Sequence, residues 1–301
     1  MVRKISLITA ILLFCLVHSI AYARPPRVVV LKSADIVPYN EAVEGFKKTC
    51  GCITEEISLS DTEAENLKQM ILDQTPELIL TVGVDALSQA VGINDIPIVY
   101  SMVPNPNPVD FSDRSISGVN MNIPPEKYIN AIIELFPAAK RIGVVYDPKH
   151  LDLFIKEAGS HAKNRGLELV LRPVHRPADV LSSIDSLRNM IDIFLMLPDV
   201  TVVNSETFKY MLGFSFQNRL PLFTFTKKYV EMGAAAGLHV LPQSMGAQAG
   251  EIVRRILIDK NTRIPLRVDA KISGLVVNDT ILKKLGAVVN DESVRRAAHV
   301  Q

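Results

Sequence analysis

The chain lacks the short motifs that announce catalysis. It has no G-x-S-x-G elbow, no G-x-x-x-x-G-K-[ST] loop, no G-x-G-x-x-G and no H-E-x-x-H. Its six histidines are scattered, and His150, His161 and His175 fall on or near predicted helices and read as solvated. No catalytic residue and no cofactor is expected. Paired acids at strand ends leave an exported acid/base hydrolase as an alternative. Cysteine is scarce, at three residues. Cys50 and Cys52 have no second His or Cys pair with which to complete a zinc site, so no metal is expected. A single intervening residue would make a disulfide ring tight. A bonded pair and two packed thiols both remain open. Net charge is low as well. The 33 Lys and Arg against 32 Asp and Glu are interspersed and give no electrostatic case for nucleic acid.

Long apolar runs are missing beyond the N-terminus. Met1–Lys4 carries Arg3 and Lys4, Ile5–Ile20 is almost wholly apolar, and Ala21-Tyr22-Ala23 has the small-x-small form of a cleavage site. Residues 1–23 therefore read as a secretory signal peptide. An N-terminal membrane anchor is the alternative, but the run is shorter than the ~20 residues of a spanning helix. The bulky Phe14 before Cys15 argues against lipoprotein processing. Removing residues 1–23 takes away two bases and no acid, so the formal charge moves from +1 to −1. The mature chain, long enough for two ordinary domains, is expected to be soluble, monomeric and periplasmic or otherwise extracytoplasmic.

What the sequence does have is rhythm. Apolar runs at Arg27–Leu31, Cys52–Ile57, Leu78–Val82, Pro97–Ser101, Arg141–Tyr146, Leu167–Leu171, Asp192–Leu197 and Leu220–Phe225 are short and scarcely alternate. Parallel strands covered on both faces read this way. Helical spacing fills the gaps, as at Ile129, Ile132, Ile133 and Phe136, and Ser60 with Glu63 resembles a capping box. Strand alternating with helix predicts two α/β halves, each a doubly wound parallel sheet, with a ligand cleft between them and several hinge crossings. The expected division is an N-terminal domain over 24–137, a boundary near Pro137, and a C-terminal domain over 138–232. The segment 233–301 is too short for a domain and is expected to pack back on both, part of 233–290 completing the first. It holds a helix over Pro242–Ile258, a strand-like Gly274–Val277 and a helix that Asn278 could cap. Crossings are expected near Pro137, near Thr226–Gly233 and in the tail.

Ligands of open parallel sheets bind outside the carboxyl ends of the strands. Those ends carry Ser33, Asp35 and Tyr39, then Gly83, Val84 and Asp85, then Ser101, Met102 and Asn105. In the second half they carry Tyr146 and Asp147, Asp199 and Thr201, and Thr226. Gly83 would let backbone N–H groups approach an anion, or simply cap a helix. Asp147 before Pro148 reads as an N-cap as readily as a ligand contact. Tyr39 and Tyr146 are ring covers for an apolar ligand body, or ordinary half-buried tyrosines. The small residues of Gly233–Gly237 would admit close approach of ligand or backbone. In PIVYSMVPNPNPVD, residues 97–110, Pro104, Pro106 and Pro108 stiffen the chain beside Asn105, as a ligand wall or as a plain surface connection.

Six stretches carry a resemblance over essentially the whole mature chain: RVVVLKSADIVPYNEAVEGF, ELILTVGVDA, PIVYSMVPNP, RIGVVYDP, DIFLMLPDVTVVNS and GLVVNDTILKKLG. In order and spacing they resemble the ABC-transporter substrate-binding proteins of the group with tryptophan- and tyrosine-binding members, which have the type I periplasmic-binding-protein fold. The resemblance implies a receptor that closes on a small solute, such as an amino acid, and delivers it to an ABC permease. A receptor that signals to a membrane sensor is the alternative. It further implies that Asp199 meets a ligand ammonium while groups near Ser101 and Gly83 hold a carboxylate. The chain departs from the family at Gly83-Val84-Asp85-Ala86, where members often show Gly-Thr-Pro-Ala. It departs again at Val103-Pro104-Asn105-Pro106, where they commonly carry Val-Thr-Asp-Pro. The expectation is that the ligand is not held as in the aromatic-amino-acid binders.

Overall fold

The computed structural model describes residues 24–61, 66–93, 95–104, 116–258 and 266–300. The expected signal at 1–23, Asn105 and Glu63 of the expected capping box lie outside them. The chain begins β1 (Arg27–Lys32), α1 (Val37–Cys50), β2 (Ile53–Ser58), α2 (Leu67–Asp73), β3 (Leu78–Val82), α3 (Val84–Ala90), β4 (Ile98–Val103) and β5 (Ser117–Asn120). It continues α4 (Pro125–Leu135), β6 (Arg141–Tyr146), α5 (Pro148–Asn164), β7 (Glu168–Pro173), α6 (Val180–Asp185), β8 (Ile193–Leu195), α7 (Ser205–Asn218), β9 (Leu222–Thr224), α8 (Lys227–Glu231) and β10 (Ala236–Val240). The tail holds α9 (Pro242–Ile258), β11 (Arg267–Asp269), β12 (Ser273–Asn278), α10 (Asp279–Leu285), α11 (Asp291–Arg296) and β13 (Ala298–Val300).

The strands form two sheets, ordered β11-β5-β4-β3-β1-β2 and β13-β12-β10-β9-β8-β6-β7. Among the described residues every pairing is parallel except β10 with β12. Helices cover both faces of each sheet. In the first, Val28, Val30 and Leu80 pack with Phe46, Met245 and Val253, while Val29, Leu31 and Ile79 pack with Ile71 and Leu87. In the second, Ile142, Val144 and Leu195 pack with Ile129 and Ile132, while Val145 and Phe194 pack with Ile184, Phe208 and Met211. Continuous apolar strands follow from this double cover. The edge strands β2 and β7 depart from it: ITEEIS buries only Ile57, and in ELVLRP only Val170 is buried.

The packing places the crossings. Tyr128, Ile129, Ile132 and Leu135 of α4 belong to the core of the second sheet, so the chain leaves the first sheet at 121–124. The boundary expected near Pro137 falls one helix too late for this packing, because the apolar face of α4 decides the side. The second crossing is at Leu241. The segment Thr226–Gly233, expected to cross, stays with the second sheet, where Val230 packs on Val276 and Val300. The third crossing is 270–272, between β11 and β12. The tail serves both sheets: α9 and β11 return to the first, and β12 and β13 extend the second.

Two local features fix this arrangement. Helix α9 lies directly on α1, since a Cβ on Gly246 would overlap the Ala42 carbonyl and one on Gly45 would overlap the Gln243 carbonyl. Cys50 ends α1, Gly51 turns the chain at φ 64°, and Cys50 is bonded to Cys52 as a disulfide. No helix of the described residues is long and apolar enough to cross a membrane.

Candidate functional site

The first sheet brings Ser33, Tyr39 and Gly83 into contact. Gly83 has φ 94°, a conformation that L side chains rarely adopt. Its N–H donates to the Ser101 carbonyl at 3.0 Å. A Cβ on Gly83 would lie 2.5 Å from Ser33 Oγ and 2.7 Å from the Tyr39 hydroxyl. Ser33 Oγ accepts from the Ala86 N–H at 2.9 Å. That bond serves the first turn of α3, which is the capping alternative for this corner. Burial, and secondarily the charge of Asp85, hold the Tyr39 hydroxyl above its usual pKa. Asp35 turns elsewhere. It accepts from Asn40 Nδ2 at 2.6 Å and lies 3.6 Å from Lys32 Nζ. Asn40 first, and Lys32 next, hold its carboxyl below the usual range.

Thr81 and Ser101 are fully buried, and neither hydroxyl has a hydrogen-bond partner. Met102 follows at φ 58° where the β4–β5 register shifts. A non-glycine residue there costs of order 1–3 kcal/mol, and such strain collects at functional sites. The sequence reading missed a neighbouring chain of polar groups. The Tyr100 hydroxyl donates to Asn120 Oδ1 at 2.6 Å, and Asn120 Nδ2 donates to Asp269 Oδ1 at 3.0 Å. Asp269 lies 149 residues from Asn120, and no local pattern announces such a contact.

The second sheet gathers Asp147, Asp199 and Thr201. The Asp147 N–H donates to Asp199 Oδ2 at 2.7 Å, and the Thr201 N–H to Asp199 Oδ1 at 2.9 Å. Asp147 Oδ1 accepts from the Lys149 N–H at 2.9 Å, and Oδ2 from Thr201 Oγ1 at 2.7 Å. The Lys149 N–H first, then the Thr201 hydroxyl, keep the Asp147 carboxyl below its usual pKa against the opposing effect of burial. Asp147 is thus the N-cap its sequence suggested. The expected ammonium partner, Asp199, keeps only 1% of its side-chain exposure, and both its oxygens are occupied from within the protein. In this structure the Asp199 carboxylate is engaged in joining Asp147 to Thr201.

His150, read from sequence as solvated, joins this cluster, and His175 borders it while staying solvated, as its sequence suggested. His150 Nδ1 is 3.3 Å from Asp199 Oδ1 and 3.8 Å from Asp147 Oδ2. His175 Nδ1 is 3.8 Å from Asp147 Oδ1. Tyr146 packs in the core with Val144 and Ile155, so it is a core tyrosine rather than a ring cover. Thr226 precedes α8 without capping it, and its Oγ1 is buried with no partner. Gly237 lies inside β10, where a Cβ would meet Thr224; the close approach there is by backbone. Among the described residues no group of three His, Cys, Asp or Glu could hold a metal ion.

Comparison with known proteins gives a family from the sequence and a shared fold from solved structures. Residues 54–301 match the family described as ABC transporter substrate binding protein. A tyrosine-binding protein of Clostridioides difficile (strain R20291) is 25% identical over 200 residues, 64% of this chain and 57% of that one. The match therefore spans less than two thirds of that relative. Among solved structures, the ligand-free, open structure of a substrate binding protein with adhesive properties from Clostridium difficile superposes with a TM-score of 0.69. It is 18% identical, over 92% of this chain and 99% of that one. An ABC domain from Streptococcus pneumonia in complex with L-Trp has a TM-score of 0.55 at 16% identity, over 92% and 100% of the two chains.

Proposed function

The chain belongs to the family of ABC transporter substrate-binding proteins, and from that premise we propose that it captures a small polar solute between the strand ends of its two sheets. It delivers the solute, chemically unchanged, to a membrane permease from outside the cytoplasm. An amino acid is the first solute class to consider, since relatives are named for tyrosine and bound to L-Trp.

The observation that carries this reading is a set of unmet hydroxyls. Thr81, Ser101 and Thr226 sit at or beside the carboxyl ends of β3, β4 and β9 with buried oxygens and no partner. Buried polar groups are normally paired, and a rearrangement of these strand ends as the two sheets close on a solute would bring them partners. The crossings at 121–124, 241 and 270–272 supply the hinge for such closure.

Thermal unfolding of protein refolded free of solute, titrated with amino acids, nucleosides and sugars, tests it. A solute at 100 times its Kd adds about 2.7 kcal/mol of stability. A flat melting temperature across the whole panel would remove the reading.

A further inference from the structure

Cys50, Gly51 and Cys52 lie at the end of the first sheet that faces away from the carboxyl strand ends. Helix α1 runs back from the carboxyl end of β1 and finishes at Cys50, and Ile53 opens β2 in register with Arg27, the first residue of β1. The disulfide between Cys50 and Cys52 spans a sequence separation of 2. In the chain-entropy account, a cross-link stabilises by restraining the unfolded chain, and it restrains less the shorter the loop it closes. A bond over so short a loop adds little to global stability. The strand that follows is weakly held: β2 lies at the edge of its sheet, buries only Ile57 and leaves Ile53 50% exposed.

The two cysteines differ in access. Cys50 is 3% exposed and belongs to the core with Phe46, Ile252 and Val253. Cys52 is half-buried and packs against that core from its edge. Gly51 between them is exposed, and a Cβ built on it meets nothing within 4 Å, so the space over the ring is open. The Cys52 N–H donates to Cys50 Sγ at 3.2 Å. A donor already aimed at a sulfur stabilises the charge that develops when that sulfur leaves. Apolar burial and the carbonyl end of α1 disfavour a lasting charge there, so a released Cys50 ends as a neutral thiol.

We propose that Cys50 and Cys52 form a thiol-exchange site, opened in the folded protein by a small thiol that attacks Cys52, and that its opening loosens the start of β2. The thiolate of the small thiol attacks Cys52 Sγ. A new S–S bond forms to that sulfur as the Cys50–Cys52 bond breaks. The electron pair leaves on Cys50 Sγ, which then takes a proton. A second molecule of thiol attacks the sulfur of the first, their S–S bond forms, and Cys52 leaves and is protonated in turn. Two thiols are oxidised to their disulfide, and the protein disulfide is reduced to two thiols. Exchange runs through such mixed disulfides, and exposed disulfides are the labile ones. With the ring open, the bond from the Ile53 N–H to the Pro26 carbonyl, 2.9 Å, carries the head of β2.

Mass spectrometry after rapid alkylation with N-ethylmaleimide tests this on folded protein held in glutathione buffers of graded reduced-to-oxidised ratio. The bond should open and re-form with the ratio, without urea and without loss of far-ultraviolet circular dichroism. In oxidised glutathione, Cys50→Ala should form a mixed disulfide at Cys52. Cys52→Ala, left with the buried sulfur, should do so at least about 10-fold more slowly. Amide exchange at 53–55 should quicken on reduction while β3 stays unchanged. A bond that opens only after the chain is unfolded in urea overturns the exchange site. Equal rates for the two variants overturn Cys52 as the attacked sulfur. Unchanged amide exchange at 53–55 in the reduced protein overturns the link to β2. If a variant fails to fold, the graded series on the unmodified protein still decides whether the site exchanges.

Discussion

The backbone N–H of Asp147, at the end of β6, donates to Oδ2 of Asp199 at 2.7 Å. This bond joins two strand ends 52 residues apart in sequence, and it fixes where Asp147 and both imidazoles stand. Asp199→Ala removes the acceptor of two N–H groups, those of Asp147 and Thr201. Each buried donor left without a partner costs about 1–3 kcal/mol, so the variant should lose roughly 2–4 kcal/mol. Asp199→Asn keeps one carbonyl oxygen and should lose about half as much. Urea unfolding at pH 7, followed by far-ultraviolet circular dichroism because the chain has no tryptophan, measures both. Equal stability of the two variants would contradict this account.

The same cluster sets an acid limit. Asp147 is held below its usual pKa by the Lys149 N–H and the Thr201 hydroxyl. Asp192 is lowered as well: burial opposes the shift, but the Arg141 side chain and the N–H groups of Lys140 and Arg141 outweigh it. A lowered folded-state pKa means that the unfolded chain takes up the proton first. The stabilisation is complete above the unfolded value of about 3.9 and is lost as pH falls from there through the folded values. Asp147→Asn should flatten the dependence of unfolding free energy on pH between about 5 and 3 relative to the unmodified protein. Denaturant series at half-unit steps of pH would measure the two slopes, and parallel slopes would exclude the assignment.

The contrast between Asp147 and Asp199 shows what was legible beforehand. Asp147 stands before Pro148, a local signal, and its capping role was readable. Strands such as Leu78–Val82 and Arg141–Tyr146, and the helix Pro242–Ile258, were readable for the same reason: apolar spacing reports burial within one element. Asp199 and His150 meet across 49 residues, and only the parallel register of the second sheet brings them together. Strand β10 was invisible for a different reason. Ala236-Gly237-Leu238 lacks the β-branched side chains of a strand because Thr224 crowds one side and β12 pairs on the other. The side of the crossing on which α4 lies was hidden too, since an apolar helix face does not say which sheet it will cover.

Helix α9 reaches α1 through glycines, and one glycine elsewhere makes the control. In GAQAG, Gly246 faces the Ala42 carbonyl and Gly250 faces Thr49 and the backbone of Phe46 and Cys50. Thr49 Oγ1 also donates to the Ala247 carbonyl at 2.9 Å. Gly246→Ala must push the helices apart against rigid backbone, an overpacking cost of about 1–3 kcal/mol. Gly159, inside α5, has nothing within 4 Å of a built Cβ. Gly159→Ala should raise stability by about 0.5–1 kcal/mol through helix propensity alone. Opposite signs for one chemical change, read as shifts of the urea midpoint, are the expected outcome. A stabilising Gly246→Ala would mean that the two helices are not in contact.

Gln248, on the face of α9 and 5% exposed, ties down the third crossing. Its Nε2 donates to the Asp269 carbonyl at 2.9 Å, and its Oε1 accepts from the Lys271 N–H at 3.0 Å. The Ala270 N–H between them donates to the Asn122 carbonyl at 3.2 Å, which joins the third crossing to the first. A hinge strand held at both of its peptide groups by one side chain moves as part of α9. Gln248→Leu keeps the volume and removes both bonds, at a cost of about 2 kcal/mol if the opened groups are only partly rehydrated. Amide exchange at Ala270 and Lys271 should then speed by about 30-fold, the ratio equivalent to that free energy, with β1 and β3 unchanged. If closure turns on these crossings, saturating solute should shrink the radius of gyration in small-angle scattering for both proteins and restore slow exchange in the variant. Unaltered exchange at 270–271 in Gln248→Leu would place the hinge elsewhere in the chain.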